Sequence, residues 1–169
     1  MNGRLSSSYM GNLMHSNALN SVSRKILLID DRRDAILPIR LLLSRDGHKV
    51  FEASTGEEGV TVAVDVQPDL ILCDIGLPGQ WDGYAVVREL RTKPETKATY
   101  MVAVSGYCQP IDIERSQQAG FDDHFAKPVD IARLRRLVAE VSLKSTFLLH
   151  DILSANAAGH QADDKQNDK

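Results

Sequence analysis

Four short apolar runs constrain this chain most, because each one ends in a side chain that can do chemistry. Lys25-Ile26-Leu27-Leu28-Ile29 runs into Asp30-Asp31, and Asp69-Leu70-Ile71-Leu72-Cys73 runs into Asp74. Tyr100-Met101-Val102-Ala103-Val104 ends at Ser105, and the shorter His124-Phe125-Ala126 ends at Lys127-Pro128. Apolar runs of this length, bounded by turn residues, read as buried strands. In an open parallel sheet, ligands bind in the crevice at the carboxyl ends of the strands. Asp30, Asp31, Asp74, Ser105 and Lys127 are therefore expected to converge on one pocket.

Helical patterns fill the intervals. The predicted strands are Ile26–Ile29, Val50–Ala53, Leu70–Cys73, Tyr100–Val104 and His124–Ala126. The predicted helices are Asp34–Arg45, Gly56–Val66, Gly83–Arg91 (starting at Asp82 or Gly83), Pro110–Ala119 and Val129–Leu143. Ile131, Leu134, Leu137, Val138 and Val141 share one face of the last helix, which gives it the cleanest period. Strand–helix units in succession predict an α/β fold, a doubly wound parallel sheet covered on both faces. Pro38 falls about a turn inside the first helix, where its missing N–H removes a hydrogen bond or kinks the start. Residues 24–143 form the predicted domain. Residues 1–23, rich in Ser and Asn, read as a flexible tail, and 144–169 as an extension: a short apolar helix around Leu148 and Ile152, then a polar disordered end.

Composition removes several function classes. A net charge of −3 offers no electrostatic footprint for nucleic acid or an anionic membrane. No run approaches the ~20 apolar residues of a membrane span, and the N-terminal segment lacks the apolar core of a signal peptide. Cys73 and Cys108 form neither a CxxC nor a metal-ligand spacing, so a reducing cytoplasm is the expected location.

Within the predicted pocket, three carboxylates would repel one another. A divalent cation resolves that conflict, and Mg²⁺ favours one or two carboxylates, water and a substrate phosphate. Lys127 adds a compact positive charge for a phosphoryl oxygen, and Ser105 a hydroxyl donor. An aspartate so flanked is equipped to accept a phosphoryl group. A dinucleotide site would instead place a Gly-rich loop after the first strand, where this chain has Asp30-Asp31-Arg32-Arg33-Asp34.

These motifs in this order resemble the receiver domain of two-component response regulators, over residues 24–143. The resemblance rests on Asp30-Asp31, Asp74, Ser105-Gly106 and Lys127-Pro128, with Gly76-Leu77-Pro78-Gly79 and Asp82-Gly83-Tyr84 as further likeness. It implies a flavodoxin-like fold of five strands in the order 2-1-3-4-5. It further implies that Asp74 is the phospho-acceptor, a phosphoprotein site rather than an enzyme's active centre beyond its own phosphorylation and dephosphorylation. Mg²⁺ or Mn²⁺ would be held by Asp31 and Asp74, by Asp30 through water, and by the carbonyl of Gly76. Lys127 and Ser105 would bind the phosphoryl group, and Ser105 would move toward it as the switch. The implied phosphodonor is a histidine kinase or a histidine phosphotransfer protein, docking near Ile36 and Leu37. Output would pass by protein contacts to an unknown target through Tyr107, Ile111, His124 and Arg133, with no nucleic acid or membrane bound and homodimerisation left open.

Two departures stand out. His124 occupies the position where the family usually carries Tyr or Phe, and a surface strand histidine is the plain expectation for it. Asp74 and Asp82 lie one residue farther apart than in the family, so the loop is expected to bulge, with Trp81 packed beneath it or facing a partner. An aspartate-nucleophile phosphatase of the haloacid dehalogenase type would carry a second Asp two residues after the nucleophile, where this chain has Gly76. The remaining alternative is a phosphorylation-independent pseudo-receiver, a scaffold.

Overall fold

The computed structural model describes residues 23–141. Five strands, β1 (Lys25–Ile29), β2 (Lys49–Ala53), β3 (Leu70–Asp74), β4 (Tyr100–Ser105) and β5 (Asp123–Ala126), pair in parallel in the order β2-β1-β3-β4-β5. Between them run α1 (Arg33–Arg45), α2 (Gly56–Val66), α3 (Gly83–Thr92) and α4 (Pro110–Ala119). A last helix, α5, occupies residues 131–141. The order is the predicted one, and all five sequence-predicted strands and helices are present within a few residues of their expected bounds. The expected tail and C-terminal extension lie outside the described residues, apart from Ser23.

The strands alternate, and their two faces feed separate apolar layers. Leu27, Ile29, Ile71, Cys73, Met101 and Ala103 pack with Ala63 of α2 and Val86, Val87 and Leu90 of α3. Ile26, Leu28, Leu70, Leu72, Val102 and Val104 pack with Ile36 and Leu43 of α1 and Leu134, Leu137 and Val138 of α5. Central β3 is buried along its whole length, as a parallel strand covered on both faces must be. Register sets the pocket: Asp74 lies opposite Val104, and Ser105 opposite Ala126, so the strands end side by side.

Caps explain where the helices begin. At α2, Thr55 accepts from the Glu58 N–H at 3.2 Å, while Glu58 reaches back to the Ser54 N–H at 2.7 Å. This reciprocal pattern satisfies donors that the first turn leaves unpaired. At α3, the Asp82 carboxylate accepts from the Ala85 N–H at 2.7 Å. The last helix starts two residues later than predicted because Asp130 caps it, accepting from the N–H groups of Ala132 and Arg133 at 2.8 and 3.1 Å. Pro38 is accommodated inside an unbroken α1.

Two expectations about faces need correction. Ile36, expected at a docking surface, is buried against the sheet, and Leu37 and Leu41 are the exposed apolar residues of α1. His124, expected at the surface of β5, is also buried, at 5% exposure. Among the described residues, no helix is long and apolar enough to cross a membrane.

Candidate functional site

The strand ends bring Asp30, Asp31, Asp74, Ser105 and Lys127 to one edge of the sheet. Asp30 follows β1 directly and is held by its own N–H, which donates to the Ala53 carbonyl at 3.1 Å. Asp30 Oδ1 accepts from the Arg32 N–H at 3.0 Å, and Asp74 Oδ1 accepts from the Gly76 N–H at 3.1 Å. Each carboxylate thus bonds a backbone amide two residues on, which fixes its orientation at the mouth of a turn. Their other oxygens face Lys127, whose Nζ lies 2.7 Å from Asp30 Oδ2 and 2.8 Å from Asp74 Oδ2. The Lys127 backbone is anchored in turn, its N–H donating to the Ser105 carbonyl at 2.8 Å, and a cis peptide follows at Lys127-Pro128.

Burial opposes the charge on Lys127, but the hydrogen bonds to Asp30 and Asp74 and their negative charges outweigh it. The ammonium pKa is raised as a result. Lys127 is therefore cationic throughout the neutral range, and its ion pairs fade only as pH rises through that raised value. Behind the Asp74 carboxylate, the Cys73 thiol donates to the Asp74 carbonyl at 3.3 Å. Burial first, then the charges of Asp74, Asp30 and Asp82, push its pKa far up, so it stays a neutral thiol.

Asp30, Asp31 and Asp74 can each point an oxygen to within 4.8 Å of the others, Asp31 from an exposed position and the other two from buried ones. Lys127 neutralises only part of that charge. The shortfall is what a divalent cation corrects, and an all-carboxylate donor set at the mouth of a pocket suits hard Mg²⁺ or Mn²⁺. The residues present fit such an ion.

Ser105 ends β4 almost fully buried, and its hydroxyl accepts from the Tyr107 N–H at 3.0 Å. Tyr107 and Ile111 project from the β4–α4 side at 77% and 67% exposure. Arg133 spans from α5 to β5, pairing with Asp123 at 2.6 Å and lying 4.1 Å over the Phe125 ring. His124 does not share that surface: its Nδ1 lies 2.8 Å from Ser116 Oγ and its Nε2 3.0 Å from the Tyr107 carbonyl. Nothing in the sequence marked Ser116, a serine within a polar helix, as a partner.

The β3–α3 loop is closed at its base by two backbone hydrogen bonds. Ile75 donates to the Val104 carbonyl, and Gly83 returns to donate to the Ile75 carbonyl, both at 3.1 Å. That return demands glycine, since a Cβ at 83 would strike the Asp74 carbonyl oxygen. In the arc between these closing residues, Trp81 is partly buried against the α2–α3 apolar layer and rests on Gly56. Of the two expectations for Trp81, packing beneath the loop is the one observed.

A cleft of about 600 Å³ opens beside the acids, between Ala35, Pro38 and Ile39 of α1 and Val129 and Ile131 at the start of α5. It reaches Asp74 and Lys127, so the Asp74 carboxylate can be approached from this side.

Comparison with known proteins agrees with this geometry. The family model for the response regulator receiver domain matches residues 26–139. The chain is 32% identical to protein PilH of Pseudomonas aeruginosa, over 69% of this chain and 96% of that one. It is 28% identical to sporulation initiation phosphotransferase F of Bacillus subtilis, over 73% of this chain and 98% of that one. Among solved structures, the receiver domain of sensor histidine kinase PA1611 from Pseudomonas aeruginosa is 30% identical, with a TM-score of 0.65. The alignment covers 71% of this chain and 98% of that domain, which holds a magnesium ion in its active site cleft.

Proposed function

Because this chain belongs to the response regulator receiver domain family, we propose that Asp74 accepts a phosphoryl group from a phosphohistidine and that the domain signals by protein contacts. The observation that carries this is the Asp74 carboxylate, held 2.8 Å from Lys127 within a cluster of three acids. An Asp74 oxygen bonds to phosphorus as the phosphorus–nitrogen bond breaks. An acyl phosphate forms, and the released imidazole takes a proton from solvent. Lys127 meets the incoming phosphoryl oxygens as a fixed cation, and the Ser105 hydroxyl donates to another. Asp31 and Asp74, Asp30 through water, and the Gly76 carbonyl would hold Mg²⁺ or Mn²⁺, which supplies neutralising charge for the acids and the phosphoryl oxygens.

The phosphodonor, a histidine kinase or histidine phosphotransfer protein, docks over the cleft beside α1, where Leu37 and Leu41 are exposed. Output passes through the face bearing Tyr107, Ile111 and Arg133, with Ser105 and His124 behind it, to a protein target. The complete acid, hydroxyl and lysine set favours this reading over a phosphate-independent scaffold.

Acetyl phosphate with Mg²⁺, followed by intact mass, tests the proposal. One phosphoryl adduct is expected, dependent on Mg²⁺ and missing in Asp74→Asn. Absence of an adduct from acetyl phosphate and from a phosphorylated histidine protein alike would overturn it.

A further inference from the structure

Resting on that reading of Asp74, we infer that the cleft between α1 and the start of α5 holds the apolar tail of a small acyl phosphate, a second class of phosphodonor for the same aspartate. The cleft is amphipathic. Its charged lining, Asp30, Arg32, Asp34, Asp74 and Lys127, comes from the strand ends and the first residues of α1. The rest of the lining is apolar. Leu28, Leu72 and Val104 lie one or two residues back from their strand ends, on the face that α1 and α5 cover, and form the floor. At about 600 Å³ the space is that of a small-molecule site, more than a phosphoryl group alone would fill. Apolar walls standing open to water gain from any apolar surface they bury.

Arg32 selects the head group. Arg40, Arg91, Arg133 and Arg135 each pair with a carboxylate, but the Arg32 guanidinium has no such partner among the described residues. It stands at the cleft as a permanent cation that can bind an anion and cannot give up a proton. A phosphate ester would release an alkoxide, which needs a general acid. An acyl phosphate releases a carboxylate, which needs none and suits the guanidinium fork. In the transfer, an Asp74 oxygen bonds to phosphorus as the bond from phosphorus to the acyl oxygen breaks. That oxygen keeps the electron pair, the carboxylate departs, and no proton changes hands. The tail stays against the apolar walls before and during this step, so its burial favours capture of the donor from dilute solution.

The test measures the initial rate of Asp74 adduct formation by intact mass, in the full chain with Mg²⁺. Acetyl phosphate and butyryl phosphate are compared at equal, subsaturating concentration. Their leaving carboxylates are alike in basicity, and spontaneous hydrolysis in the same buffer corrects for any intrinsic difference. Each added methylene that is buried should speed capture roughly fourfold, so butyryl phosphate should react on the order of tenfold faster. Ala35→Leu fills the cleft from the α1 side and Val129→Phe from the other, and each should bring the butyryl-to-acetyl ratio back toward one. If one variant does not fold, the other decides. Equal rates for the two donors in wild type, or a ratio that survives both filled clefts, would overturn the inference. The same holds if only a phosphorylated histidine protein reacts, since the cleft would then belong to a protein donor. No adduct from any of these donors would instead sink the acceptor assignment beneath it.

Discussion

At Lys127 one ammonium serves two carboxylates from different strands, and this makes it the residue on which the pocket's charge balance turns. Burial alone would drive its pKa down, yet Asp30 and Asp74 raise it. A group whose folded pKa is raised contributes stability that is complete below its unfolded value and is lost as pH rises through the folded one. Replacing it with Met leaves two buried acids facing each other. We expect Lys127→Met to cost on the order of 2 kcal/mol, the scale of hydrogen bonds to charged groups. The gap to wild type should stay level from about pH 6 to 9 and narrow above roughly pH 10.4. Urea denaturation across that range checks it, and a gap that closes already near neutrality would show that the acids do not depend on this cation.

The β3–α3 connection is an element held at its base by backbone hydrogen bonds. Closure by Ile75 and Gly83 fixes both ends, and residues 76–82 lie in the arc between them. Gly83→Ala is therefore expected to destabilise by about 1–3 kcal/mol, as overpacking against backbone does. Gly79→Ala sits in open space at φ 91° and should cost only the ~1–2 kcal/mol of a left-handed residue. Equal losses in a denaturation series would mean that the closure is looser than the structure implies.

Elements were legible in the sequence where one signal dominated. Apolar runs ending in Asp, Ser or Lys marked the strand ends, because only strand termini bring such groups together in this fold. Faces were less legible. In α1 the sequence Ala35-Ile36-Leu37-Pro38-Ile39 is apolar all round, so its pattern does not say that Ile36 turns inward and Leu37 outward. In β5, His124 and Phe125 are both buried because α4 covers one face and α5 the other, and a four-residue strand is too short to reveal that. The Ser116 partner depends on that tertiary packing, which no local pattern encodes.

For the whole molecule, the acid cluster is a stored repulsion that ligand binding can relieve. Anything that binds the folded state alone stabilises it by mass action, about 2.7 kcal/mol at a hundredfold excess over the dissociation constant. Mg²⁺ should therefore raise the melting temperature of the full chain by several degrees, and Asp31→Asn should remove most of that rise. A thermal shift series with and without Mg²⁺ measures this, and an equal rise in Asp31→Asn would place the ion elsewhere. The Trp81 packing has a different consequence. As the only tryptophan of the sequence, it makes the molecule its own fluorophore, and every photon of indole emission comes from one address. That address is the loop that leaves Asp74, packed against the α2–α3 layer, so an unlabelled sample carries an optical probe in the connection leading away from its own acid cluster.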